Sequence, residues 1–136
     1  MTGFAAGSDQ RVVEIAVPAD PGFVSLLRTV AASLAASRDF TIDEIDDLRL
    51  AVDEASALLL PHAGPGARLA AVFSGGDASL RVEVSLVAAG LPQLAAIDQQ
   101  SFAWMVLAAL ADTVAISSAG DRLVVSLTKS RGARLP

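Results

Sequence analysis

A chain of 136 residues that is 53% apolar, mostly through Ala, Val and Leu, can bury one core and is too apolar for intrinsic disorder. Its net charge of −5 argues against direct binding to nucleic acid, since neutralising phosphates requires a basic face, while an acidic surface suits a basic protein partner. The absence of cysteine excludes disulfides, thiolate metal sites and thiol nucleophiles, and a lone histidine, His62 in the turn sequence PHAGPG, excludes a histidine-rich metal cluster.

Residues 1–10 are small and polar, lack the basic start and apolar run of a signal peptide, and are expected to be disordered. Arg11 to Val17 reads as a strand with Val13, Ile15 and Val17 on one face and Glu14 opposite. Asp20 can then cap, and Pro21 open, a helix running to about Ser37, with Phe23, Leu26, Leu27, Val30 and Leu34 expected inside. The opposite face, Ser25, Arg28, Thr29, Ala32, Ala35 and Ala36, carries a single charge. A helix face that meets only water normally holds more Lys and Glu, so this one suits a partner contact, although an alanine-rich surface also simply favours helix.

The next helix is the chemical centre of the sequence. Thr41 with Glu44 forms a capping-box pattern, and Ile45, Leu48, Val52, Ala55 and Leu59 repeat at three- and four-residue steps. Asp47, Ala51, Glu54 and Leu58 line the border of that stripe. A carboxylate on such a border is half out of water, where a general base would stand; a solvated Glu beside a core helix fits the same pattern. After the loop PHAGPGA, Arg68 to Phe73 and Leu80 to Val87 read as strands joined by a tight turn at Ser74–Asp77, with Arg81, Glu83 and Ser85 on a wet face. Residues 88–100 read as a loop. Ser101 to Ala111 is a third helix with Trp104, Leu107, Ala108 and Ala111 inward, followed by strands at Thr113–Ser118 and Leu123–Thr128 and a basic tail expected to be mobile over 130–136. The longest apolar segment, Phe102 to Ile116, is short for a membrane span and contains Asp112, so no membrane contact and a cytoplasmic protein are expected.

This order predicts an α+β fold. It is a two-layer sandwich, with a five-stranded, mostly antiparallel sheet carrying three helices on one face, in a single domain over 11–129. Thr41 to Leu60, TIDEIDDLRLAVDEASALLL, resembles the N-box helix of RsbW/SpoIIAB-type anti-sigma factors, members of the GHKL family of ATP-binding folds, whose element order is the same. DLRLAVDEA together with SFAWMVLAALAD is similar to the actinobacterial RsbW branch, the anti-sigma-F factors known in mycobacteria as UsfX.

The family's pattern is apolar-Ala-Val-x-Glu-Ala-x-x-Asn, and LAVDEASAL follows it through Ala55 but has Leu58 where the Asn belongs. A nucleotide pocket of this kind needs a carboxylate to orient the attacking group, an oxygen ligand for Mg²⁺, a carboxylate for adenine, and glycines that let backbone N–H groups reach phosphates. Glu54 can supply the first, as a vestigial general base. Leu58 offers no oxygen, SLVAAGLPQLAA has no D-x-G-x-G box, and QQSFAWMV has no glycine turn. No metal and no resident cofactor are expected, and any binding of Mg-ATP is expected to be weak.

The resemblance implies an anti-sigma factor that sequesters an alternative, stress-type sigma factor until an anti-anti-sigma protein displaces it. It also implies a homodimer, and a partner contact through Arg28 with Ser25, Thr29 and Ala32 around it. The alternative is a serine protein kinase that phosphorylates its anti-anti-sigma antagonist with Mg-ATP. An unrelated α/β interaction domain sharing only a helix pattern is the third reading.

Overall fold

The computed structural model describes residues 11–88 and 99–132. The expected disorder at 1–10, nearly all of the 88–100 loop and the end of the tail lie outside them. The first strand, β1 (Val13–Pro18), ends where Asp20 accepts from the Gly22 amide at 2.8 Å and Pro21 opens a single 3₁₀ turn. Helices α1 (Val24–Ser37) and α2 (Ile42–Leu59) follow as a hairpin. Its link holds Asp39 at φ 60°, with the Asp39 amide bonded to Ala36 O and the Phe40 amide to Ala35 O. That is the two-bond closure of a Schellman motif, and Phe40 is buried beside it. The capping box forms in full: the Thr41 amide donates to Glu44 Oε1 at 2.7 Å and the Glu44 amide to Thr41 Oγ1 at 3.1 Å.

Strands β2 (Arg68–Ser74) and β3 (Ser79–Val87) form a hairpin, α3 (Phe102–Leu110) comes next, and β4 (Thr113–Ala119) and β5 (Arg122–Ser130) close the chain. Gly75 in the first turn must be glycine: at φ +127° a Cβ would lie 2.6 Å from Ser79 O. The sheet order is β1-β2-β3-β5-β4, antiparallel throughout. Register stacks Val13, Phe73, Val82, Leu127 and Val114 in one inner row, and Ile15, Ala71, Val84, Val125 and Ile116 in the next. These rows face the helices and share one core with Leu27, Leu48, Val52, Leu59 and Leu107.

Three expectations about burial are corrected. In α1 the inward stripe is Val24, Leu27, Ala31 and Ala35, whereas Phe23 and Leu26 are 40% and 46% exposed. The small alanines sit inside because α1 lies close against α2, which leaves larger side chains at the margins. In α3, Ala108 is exposed and only Leu107 is fully buried, since a helix this short covers little of the sheet edge. Ser85, on the outer sheet face, is 4% exposed, shaded in the central strand between Ala70 and Val124.

Beyond the apolar core, Lys129 ties the two layers together. It leaves β5 on the helix side, with Nζ 3.3 Å from Asp47 Oδ2 on α2 and 2.9 Å from Leu110 O at the end of α3. It therefore satisfies a terminal helix carbonyl and an acidic side chain with one cation. Lys129→Met is expected to lower stability by about 1–2 kcal/mol in urea unfolding; no change would make the contact a solvated surface pair.

Candidate functional site

Helix α2 has two chemically distinct flanks. On the α1 flank, Arg28 Nε lies 3.1 Å from Asp53 Oδ1, each side chain about a third exposed. The Nε is buried and the approach too oblique for an aligned hydrogen bond, so the contact is ionic. Burial is the largest influence on Asp53 and raises its pKa above the usual 3.8; the positive charges of Arg28 and Arg49 pull the other way without cancelling it. Arg49 in turn approaches Asp46 at 3.8 Å. Around this pair, Ser25 and Thr29 are exposed and Arg28 and Ala32 half-buried. The Thr29 hydroxyl donates to Ser25 O at 2.9 Å, turning its proton back into the helix and leaving a smooth surface. Of the face expected to meet a partner, Ser25, Arg28, Thr29 and Ala32 lie along one ridge, whereas Ala35, counted on the same face, is buried. Asp53 is the member that the sequence reading missed; a carboxylate one turn from the N-box apolar stripe gave the signal.

The other flank faces α3, as the Lys129 bridge from Asp47 to Leu110 O establishes. Glu54 lies two turns beyond Asp47 on this column, half-buried and without a hydrogen bond or ion pair to a described residue. The column is not a uniform border: Ala51 and Leu58 are 1% and 7% exposed, inside the core. Leu58, at the position of a magnesium-binding Asn, therefore packs with the core rather than facing a solvated cavity. Ser101 closes the start of α3 by accepting from the Trp104 amide at 3.2 Å, so that N–H is already partnered. The segment that would read adenine falls largely in 89–98, outside the described residues. Among the described residues no three His, Asp or Glu side chains gather to hold a metal ion, and no helix is long and apolar enough to cross a membrane. Leu58, buried and without an oxygen, does not fit the metal of a Mg-nucleotide.

Two outcomes follow from this geometry. Leu58→Asn is expected to cost about 3 kcal/mol, because it removes buried apolar volume and strands an amide in the core; a loss below about 1 kcal/mol in urea unfolding would mean that the position opens to water. For Asp53, a folded-state pKa above the unfolded one means that its contribution to stability is fully present only below the unfolded value and is lost as pH rises through the folded one. Asp53→Asn should therefore gain thermal stability relative to the parent as pH rises from 3 to 7; a difference independent of pH would mean that Arg28 fully offsets the burial.

The histidine kinase-like ATPase domain matches residues 17–129. The anti-sigma-F factor RsbW of Mycobacterium tuberculosis is 38% identical over 104 residues, covering 76% of this chain and 60% of that protein. The serine-protein kinase RsbW of Bacillus subtilis is 39% identical over 51 residues, 38% of this chain and 32% of that protein, and its Bacillus velezensis counterpart is 35% identical over a stretch of the same length. The matched part of the chain thus spans about 60% of the length of the mycobacterial relative. With the open antiparallel sheet, the three helices and the domain match over most of its length, the chain belongs to the histidine kinase-like ATPase domain family.

Proposed function

We propose that this protein is a cytoplasmic anti-sigma factor: it binds and sequesters an alternative, stress-type sigma factor and is released by an anti-anti-sigma partner. The observation that carries the reading is the α1 ridge, where Arg28 stands among small side chains and is held by a half-buried carboxylate. An arginine already partly desolvated and oriented loses little freedom on docking, and arginine is a favoured anchor residue at interfaces. The likeness to an anti-sigma-F factor over 76% of the chain supports the same assignment. The nucleotide site is degenerate in this reading, with Leu58 in the core and the first turn of α3 capped by its own serine.

The second reading is a serine protein kinase acting on its anti-anti-sigma antagonist with Mg-ATP. It is favoured by Glu54, a half-buried carboxylate free of described partners, and by the name of the Bacillus relatives. Glu54 would serve as its general base, but Leu58 offers no oxygen to ligate the metal.

A homodimer through the outer sheet face belongs to the proposal. The middle row of that face is Ala16, Ala70, Ser85, Val124 and Ser117. Glu14 and Glu83 lie in the row on one side of it, and Arg68 and Arg122 in the row on the other. A two-fold axis through the middle row sets each acidic row against the partner's basic one. Val124→Glu places a charge at the centre and should convert a dimer to a monomer in sedimentation; a wild-type monomer at tens of micromolar would refute this arrangement.

The deciding test is capture of sigma factors from the native extract by the tagged protein, with and without Mg-ATP. One stress-type sigma factor recovered in both conditions is expected, and Arg28→Gln should reduce recovery at least about tenfold while moving the melting temperature only a few degrees. Recovery that requires ATP would restore the kinase reading. No sigma factor in either condition would reject the assignment.

A further inference from the structure

A second site lies at the end of the sheet remote from Val87, where the family's nucleotide box would follow β3. A cleft of about 430 Å³ opens there between the end of α1, the entry to β1 and the β2–β3 turn. Its apolar floor includes Val13 and Leu34, and its rim holds Arg11, Arg38, Gly76 and Asp77. We propose that this cleft binds a small carboxylate carried on an apolar stem.

Charge argues for an anion. In a protein of net charge −5, two arginines, Arg11 and Arg38, line one cleft, and neither forms an ion pair with a described residue. Arg38 Nη1 is buried and has no hydrogen-bond acceptor among the described residues. A buried cationic N–H without a partner is costly, and it leaves the charge of this guanidinium uncompensated. A guanidinium presents two parallel N–H groups that match the two oxygens of a carboxylate.

A helix C-terminus would ordinarily repel an anion through its free carbonyls, but here three of the last four are occupied. Leu34 O accepts from the Ser37 hydroxyl at 2.7 Å, Ala35 O and Ala36 O accept from the Arg38, Asp39 and Phe40 amides, and Arg38 O accepts from Arg131 Nη1 at 2.9 Å. The negative end of α1 is therefore largely offset by these donors. Asp77 on the rim sets the valence: two arginines and one aspartate leave a single positive charge, which suits a monoanion over a phosphate dianion. Val13 and Leu34 supply an apolar floor for the stem, and the volume lies in the range of small-molecule sites.

The test is a titration of the full-length ¹⁵N-labelled chain with sodium hexanoate at constant ionic strength, read on the Gly75, Gly76 and Arg38 Nε–Hε signals. Saturable shifts with a dissociation constant of about 1 mM or tighter are expected, weakened at least about tenfold in Arg38→Gln and, independently, in Arg11→Gln. The second variant keeps the test decisive if the first unfolds. Linear shifts without saturation, equal affinity in both arginine variants, or equal saturation by 1-hexanol would each overturn the proposal. Saturation by inorganic phosphate in preference to hexanoate would overturn the ligand class.

Discussion

Burial of α2 on three sides is the constraint on which the rest of the structure depends. Leu48, Ala51, Val52, Ala55, Ser56, Leu58 and Leu59 all leave water, against α1, α3 and the sheet, and the Ser56 hydroxyl is satisfied on Val52 O at 2.9 Å. Each large apolar side chain so buried contributes about 1.5–3 kcal/mol, and together they lock the helix in rotation as well as position. A rotation that exposed position 58 would drag its neighbours out of the core. The placement of Leu58 is therefore built into the packing of the helix.

The same locked rotation separates two kinds of chemistry on one helix. Asp53 points to α1 and Glu54, about 100° round, to the α3 side. The two flanks can thus change independently, even though consecutive residues build them. Asp53 sits between opposing influences: burial raises its pKa, and the positive charge of Arg28 beside it pulls the other way.

Polar side chains fasten the ends of the elements more than their middles. Glu44 completes the capping box with one oxygen and accepts from the Gly132 amide with the other at 2.6 Å, joining the start of α2 to the exit of β5. Asp112 Oδ2 accepts from the Ser130 amide at 2.6 Å, and Lys129 ends α3. In a two-layer protein with a short third helix, these end-to-end ties do work that a thicker layer of apolar contacts would otherwise do. Phe102 and Met105 on that helix remain 77% and 62% exposed.

Local chemistry determined much of this in advance. The capping box at Thr41, the cap at Asp20, the hairpin turn at Gly75 and the alternation in β2, β3 and β5 depend on neighbours within a few residues, so they were legible from the sequence, as was the gap at Leu58. The element order and the N-box resemblance extended that reading to the family and to Arg28. What required the tertiary structure was every property set by contact between elements distant in the chain. The tight approach of α1 to α2 decided that Ala31 and Ala35, not Phe23 and Leu26, face the core. The pairing of Arg28 with Asp53, the reach of Lys129 to Asp47 and the meeting of Arg11 with Arg38 at one cleft join residues far apart in sequence. Periodicity tells which residues share a face, but only packing tells how near that face lies to its neighbour and which charges meet across the gap.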